Sequence, residues 1–197
     1  MNKREEVLKV IEDQIDNKNI IKHMLAVEAC MGALAKKLSP ENLRGSEGSS
    51  EVGDWKLAGL AHDLDYQEGI SDEEHGTRTG QILEQEGIKL SDEVLHAIAA
   101  HNWEHTGIKP KSDMDWALFS VDSLTGLIVA ATLVLPSRKL ADVTVENVLN
   151  RFDEPRFAAG TRRDHIKMCE EKLGIPLDEF VKINLEAMQE ISKSLEL

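Results

Sequence analysis

The sequence predicts an all-α protein, a single helical bundle, on three observations. Apolar residues recur at three- and four-residue spacings along most of the chain, the pattern that lines one face of a helix. No stretch alternates apolar and polar residues over a useful length, and there is no internal repeat. The length of 197 residues and hydrophobic content of 41% fit one ordinary domain with a sizeable core.

In chain order, Arg4–Ile15 carries Val7, Leu8, Ile11 and Ile15 at helical spacing. Asn17 or Asn19 is placed to cap a second helix that runs to about Leu38. Residues 39–53 are rich in Gly, Ser and Glu and read as a mobile surface loop. A short helix is expected from Asp54 to about Leu64. A loop at Tyr66–Asp72 precedes a helix capped by Ser71 or Asp72, with His75 in its opening turns and Gly87 stopping it after Glu86. Ser91 caps Asp92–Asn102, and a loop follows at Thr106–Pro110. The most apolar stretch, Trp116–Leu135, ends at Pro136. After a break at Pro155–Gly160, Pro176 opens a last amphipathic helix to about Leu195, with Leu177, Phe180, Val181, Leu185, Met188 and Ile191 apolar. That stripe is expected to pack on its own bundle, since one apolar face needs one neighbour.

Composition limits the partners. A net charge of -13 argues against duplex nucleic acid and an anionic membrane surface, both of which need a basic footprint, and favours cation binding. Cys30 and Cys169 lie far apart with no CxxC, which excludes a disulfide framework and a thiolate zinc site. The start, Met1-Asn-Lys-Arg-Glu-Glu, lacks the apolar stretch of a secretory signal, so a cytoplasmic setting is expected. Trp116–Leu135 is long enough to span a membrane, but a central Asp122 costs about 3 kcal/mol on insertion scales. It is expected to be the fully buried central helix of the bundle.

Several side chains have the chemistry of metal ligands. His62 and Asp63 sit in an apolar run from Trp55 to Leu64, where an imidazole and a carboxylate without partners are costly. Adjacent helix residues point about 100° apart, so the two pair poorly with each other yet reach one ion at the helix end. His23 shares the buried face of Ile20 and Val27; alone it reads as a hydrogen-bonded core histidine. Asp122 lies on a stripe with Leu118, Thr125 and Val129 in a helix without basic residues, so a metal is a better partner for it than an ion pair. His101 follows Val94 and Ile98 inward, whereas His96 falls on the opposite side and reads as solvated. His75, at a helix start, reads alone as a surface histidine, and His105, beyond Asn102, is placed to line a pocket mouth. Mixed nitrogen and oxygen ligands suit Mn, Fe, Co, Ni or Zn better than calcium, and one or two such divalent ions are expected.

The order His23, His62-Asp63, Asp122, with the run Ala-Gly-Leu-Ala-His62-Asp63-Leu-Asp65, resembles the HD-domain superfamily of metal-dependent phosphohydrolases over roughly residues 19–130. The resemblance implies an all-helical bundle over 1–197, its metal-site core at about 19–130 and helices at about 144–195 packed on it. It implies that His23, His62, Asp63 and Asp122 hold one ion. In two-metal members two further histidines are added, and His75 in Glu-His-Gly and His101 in Ala-Ile-Ala-Ala-His-Asn match them, with Asp63 bridging; this is the six-ligand, HDIG-type variant. The chain departs from the subgroup that hydrolyses cyclic-di-GMP, which carries Ile-Gly-Lys after the dipeptide: here Leu64-Asp65-Tyr66 follows, and Tyr66 stands at the catalytic lysine. One-metal nucleotidases often place a glutamate shortly after the dipeptide, where Asp65 is the nearest carboxylate.

The expected activity is therefore hydrolysis of a small phosphorylated or nucleotide-like substrate, as a phosphomonoesterase or phosphodiesterase, by a metal-activated water. His62, Asp63 and Arg78 are the expected catalytic residues, Arg78 because it follows His75 by three positions. His105, Lys139 and Arg162 are candidate substrate contacts, with Arg138, Arg156 and Arg163 as further basic residues. A di-iron oxygenase of the inositol-oxygenase type shares the ligand set and is one alternative; a non-catalytic metal-binding regulatory module is another, against which the retained ligands argue. A monomer or homodimer is expected.

Overall fold

Asn2 accepts the Glu5 amide at 2.9 Å while the Glu5 carboxylate accepts the Asn2 amide at 3.0 Å, and this reciprocal cap starts α1, Lys3–Gln14. Asn17, not Asn19, caps α2, Lys18–Leu38, by accepting the Asn19 amide at 3.0 Å. The structure, a computed structural model, describes residues 2–38, 50–67 and 69–197. The mobile loop expected over 39–53 lies outside the described residues as far as 49, and from Ser50 the chain is already helical, in α3, Ser50–Ala61.

The helix expected from Ser71 or Asp72 to Glu86 is mostly absent: residues 71–78 form successive turns, and only α4, Thr79–Gln85, is helical. Its donors find a distant acceptor rather than a local cap, as described below. Ser91 caps α5, Asp92–His101, and a single turn, α6, Trp103–Thr106, follows. Ser112 and Asp115 form a second reciprocal cap that starts α7, Asp113–Val134. Then come α8, Val145–Phe152, α9, Arg163–Leu173, and α10, Leu177–Glu190. The last helix breaks at Ile191, so Ser192–Leu195 is a separate turn, α11. Every regular element among the described residues is helical, and the fold is all-α.

α7 packs against α2, α5, α8 and α9, and α2 in turn packs against α3 and α10. The core is aliphatic and continuous, from Val7 and Ile11 through Leu60, Ile98 and Leu124 to Phe180 and Met188. Glu28, buried in α2, is held by Arg4 of α1 through Nε at 2.5 Å and Nη2 at 2.8 Å, so the buried charge is paired in two places.

α7 is long and apolar enough to cross a membrane, but 61% of its most apolar window is buried inside the protein. It is not fully enclosed, as the sequence had suggested. Asp122, Ser123, Val129 and Ala130 are only partly covered and Gly126 and Leu133 are exposed, because α2, α5 and α9 leave that side open.

One close approach sets up the site. A Cβ on Gly59 of α3 would lie 2.9 Å from the Val27 carbonyl of α2, so only glycine lets these helices meet at this depth. His23 is one turn before Val27, and His62 follows Gly59 by three residues. The contact therefore brings the two imidazoles side by side.

Candidate metal centre

His62 and Asp63 lie in the turn directly after α3, His23 on α2, His75 in the 71–78 turns, His101 at the end of α5 and Asp122 in the middle of α7. The fold brings all six together. His23 Nε2 lies 3.2 Å from His62 Nε2, 3.5 Å from Asp63 Oδ2 and 2.9 Å from Asp122 Oδ1. His75 Nε2 lies 3.2 Å from His101 Nε2 and 3.3 Å from Asp63 Oδ1. Asp63 Oδ1 is also 3.3 Å from His62 Nε2 and 3.8 Å from His101 Nε2. The ligand atoms thus form two groups that share Asp63: His23, His62 and Asp63, joined by Asp122, and Asp63, His75 and His101.

Each imidazole has its other nitrogen occupied. His62 Nδ1 faces the Gly59 carbonyl at 2.8 Å, and His101 Nδ1 faces the Ile98 carbonyl. A carbonyl only accepts, so Nδ1 donates and Nε2 points its lone pair inward. His75 Nδ1 donates to Asp65 at 2.9 Å. The Thr125 hydroxyl donates to the Asp122 carbonyl at 2.8 Å and accepts from His23 Nδ1 at 3.1 Å.

This orientation tests whether a metal fits. Two facing Nε2 atoms repel unless a proton or a metal ion stands between them. Nitrogen ligands about 2.0–2.1 Å from one ion sit about 3.0–3.4 Å apart, the separation seen in both histidine pairs. Four imidazoles and two or three carboxylate oxygens form a donor set suited to divalent transition ions. The residues fit the group.

Protonation tells the same story for the metal-free protein. Burial works against a charged His62, but Asp63 and Asp122 outweigh it and raise its pKa to about 9. Burial likewise opposes a charged His75, and hydrogen bonds to Asp63 and Asp65 raise it to about 9. His101 goes down to about 4, first from burial and then from the neighbouring His62. Burial opposes ionisation of Asp63, yet the surrounding imidazoles hold its carboxyl well below the usual range.

Asp122 arrives at the site for a different reason from the one its sequence context suggests. It is not sealed in an apolar helix: its side chain is 33% exposed, on the open side of α7, and it pairs with His23. His62 is fully buried, so the mouth of the site lies on the Asp122 and His23 side.

Asp65 does the most work that local pattern does not reveal. Fully buried, it accepts the Gly76 amide at 2.9 Å, the Arg78 amide at 2.9 Å and the Thr79 amide at 3.2 Å, besides His75 Nδ1. It replaces a local cap for α4 and holds the 71–78 turns against the dipeptide turn. Burial opposes its ionisation, but the bond from His75 and these amides keep its carboxyl below the usual range. With its oxygens committed, it is a positioning residue and not a proton donor. Gly76 completes the turn: its φ is +90° and a Cβ there would lie 2.8 Å from the Ile98 carbonyl.

The other sequence candidates lie elsewhere. Arg78 does not aim into the centre; it pairs with Glu74 and reaches Gln81, because a carboxylate four residues before it offers a nearer partner. Arg162 is bound by Glu104 at 2.7 Å and Asp164 at 2.9 Å. Lys139 is exposed beyond the C-terminal end of α7, about 18 Å of helix from Asp122 at 1.5 Å per residue. His105 is exposed on α6, near enough to Glu73 for its charge to be felt there. His96 is not solvated: it is only partly exposed and meets the buried Asp115 at 2.9 Å. Sequence reasoning passed over His165 of α9, which stacks on Phe119 at 4.1 Å and senses the charge of Asp122; a lone histidine in a charged first turn carries no local signal.

A family model described as HD domain matches residues 20–130, a segment that runs from α2 into α7 and holds all six clustered residues. No curated protein and no solved structure matches the chain.

Proposed function

This chain belongs to the HD-domain family, whose members are generally phosphohydrolases, and we propose that it hydrolyses a small phosphorylated substrate at a centre of two divalent ions. The observation that carries this reading is the inward orientation of four imidazoles around one shared carboxylate, each with Nδ1 already engaged. The ions, when bound, supply a water acidic enough to attack phosphorus at neutral pH and positive charge for the phosphate oxygens.

The chain's own residues prepare that chemistry. Asp63 turns Oδ1 toward His62, His75 and His101 and Oδ2 toward His23, so a single carboxylate serves both groups. The carbonyls of Gly59 and Ile98 keep His62 and His101 in one tautomer. Asp122 stands on the open side, where substrate and water arrive. Arg78 is given no catalytic part, since its guanidinium is held by Glu74.

The test is metal content by elemental analysis of protein purified without chelator, with phosphoester turnover under Mn, Fe, Co, Ni and Zn. His62→Ala and Asp63→Ala are expected to lose metal and at least about 100-fold in turnover. Full metal content and turnover in both variants would overturn the reading. Oxygen uptake specific to the iron-loaded protein, without phosphoester turnover, would replace it with the oxygenase.

A further inference from the structure

A cavity of about 360 Å³ opens beside His75, its lining including Ile20, Asp65, Tyr66, Gln67, Ile70 and Asp72 together with His75 itself. His75, a member of the second ligand group, lines the cavity, so the cavity adjoins the centre on the His75 side. Tyr66 is 57% exposed, one of the large apolar side chains left in the open, and its ring meets His75 edge-on with centroids 5.2 Å apart. An aromatic face beside a metal-binding histidine, in a cavity of ordinary ligand size, calls for a partner.

We infer that this cavity takes the organic half of a phosphomonoester, a planar uncharged ring packed on Tyr66, while the phosphate lies at the metal centre. The inference rests on the phosphohydrolase reading. Charge decides the class of ligand. Among the described residues no lysine or arginine lines the cavity. Asp65 has its oxygens engaged by backbone amides and His75, and Asp72 is exposed. Two basic residues that the sequence offered as catalytic or substrate-contacting are already bound, Arg78 by Glu74 and Arg162 by Glu104 and Asp164. A second phosphate or a carboxylate in the cavity would therefore meet Asp72 and a chain of net charge -13 without a cation of its own. A neutral ring meets Tyr66, Ile20 and Ile70. Packing a planar ring on one aromatic side chain is worth about tenfold in affinity.

Calorimetric titration of the manganese-loaded protein with benzylphosphonate, propylphosphonate and 4-carboxybenzylphosphonate reads this without turnover. Wild type is expected to bind benzylphosphonate about tenfold tighter than propylphosphonate, and 4-carboxybenzylphosphonate more weakly than benzylphosphonate. Tyr66→Ala should erase the ring preference at unchanged metal content, and Tyr66→Phe should keep it. No ring preference in wild type, its survival in Tyr66→Ala, or tighter binding of the carboxylated ring would each overturn the inference. Hydrolysis of benzyl phosphate, measured separately, bears on the phosphohydrolase reading: binding as expected without turnover under any metal removes that reading and leaves the ring subsite standing.

Discussion

The two halves of the centre are built by different means. His23, His62 and Asp122 are placed by helices, through the close crossing of α2 and α3 at Gly59 and the packing of α7 on α2. His75 and His101 meet because one irregular segment, 71–78, is tied down by the Asp65 carboxylate, by Gly76 and by the Asn102 side chain, which donates to the Asp72 carbonyl at 2.7 Å. The first half rests on many apolar contacts, and the second on a handful of hydrogen bonds, some buried and some at the surface. This difference in support predicts that the second half is lost more readily than the first.

The largest expected effect comes from Asp65→Ala. It leaves the Gly76, Arg78 and Thr79 amides and His75 without their acceptor, at a cost of about 3–5 kcal/mol. Denaturant unfolding should show that loss, and metal analysis should fall from two ions toward one. Loss of both ions would mean that the halves are not separable.

Next come the two glycines, as a matched pair. Gly76→Ala meets both a positive φ and the Ile98 carbonyl, whereas Gly59→Ala meets the Val27 and Glu28 backbone at an ordinary φ. Each is expected to cost about 1–3 kcal/mol, Gly76→Ala the more. Gly76→Ala should weaken binding of the second ion and Gly59→Ala the first; equal effects on both ions would break the comparison.

Thr125→Val is milder. It removes the acceptor for His23 Nδ1 and should weaken metal binding in the first half by about 10–100-fold with little change in melting temperature. An unchanged affinity would show that Asp122 alone orients His23.

The smallest effect sharpens the comparison through protons. His62 and His75, one in each facing pair, have pKa values of about 9, above the ordinary 6.5. A histidine raised by folding contributes stability that is fully present below about pH 6.5 and is lost as pH rises through about 9. Chelator-treated protein should therefore melt lower at pH 9 than at pH 6, while metal affinity rises over the same window because ions displace these protons. Loading in weak buffer should release about two protons per chain, and about one in Asp65→Ala.

Much of this was legible in the residues. Caps at Asn17 and Ser91, the stop at Gly87 and the apolar stripes are local interactions, within a few positions of the elements they start or end. The dipeptide in an apolar run marked the site for the same reason. The 71–78 segment misled, because it carries a helix-like pattern but its donors go to Asp65, more than ten residues back. Arg78 misled because spacing gives the face of a side chain and not its partner, and Glu74 was nearer than the centre.

The sequence by itself determined an all-α chain, the approximate bounds of α1, α2, α5 and α7 and the residues with the chemistry to bind metal, since periodicity and capping act over one or two turns. Only the tertiary structure decided that four imidazoles turn Nε2 inward, that Asp65 positions rather than reacts, and that Asp122 lies on the open side of α7. Those outcomes depend on the depth at which α2 and α3 cross and on hydrogen bonds between segments remote in the chain, which no local pattern encodes.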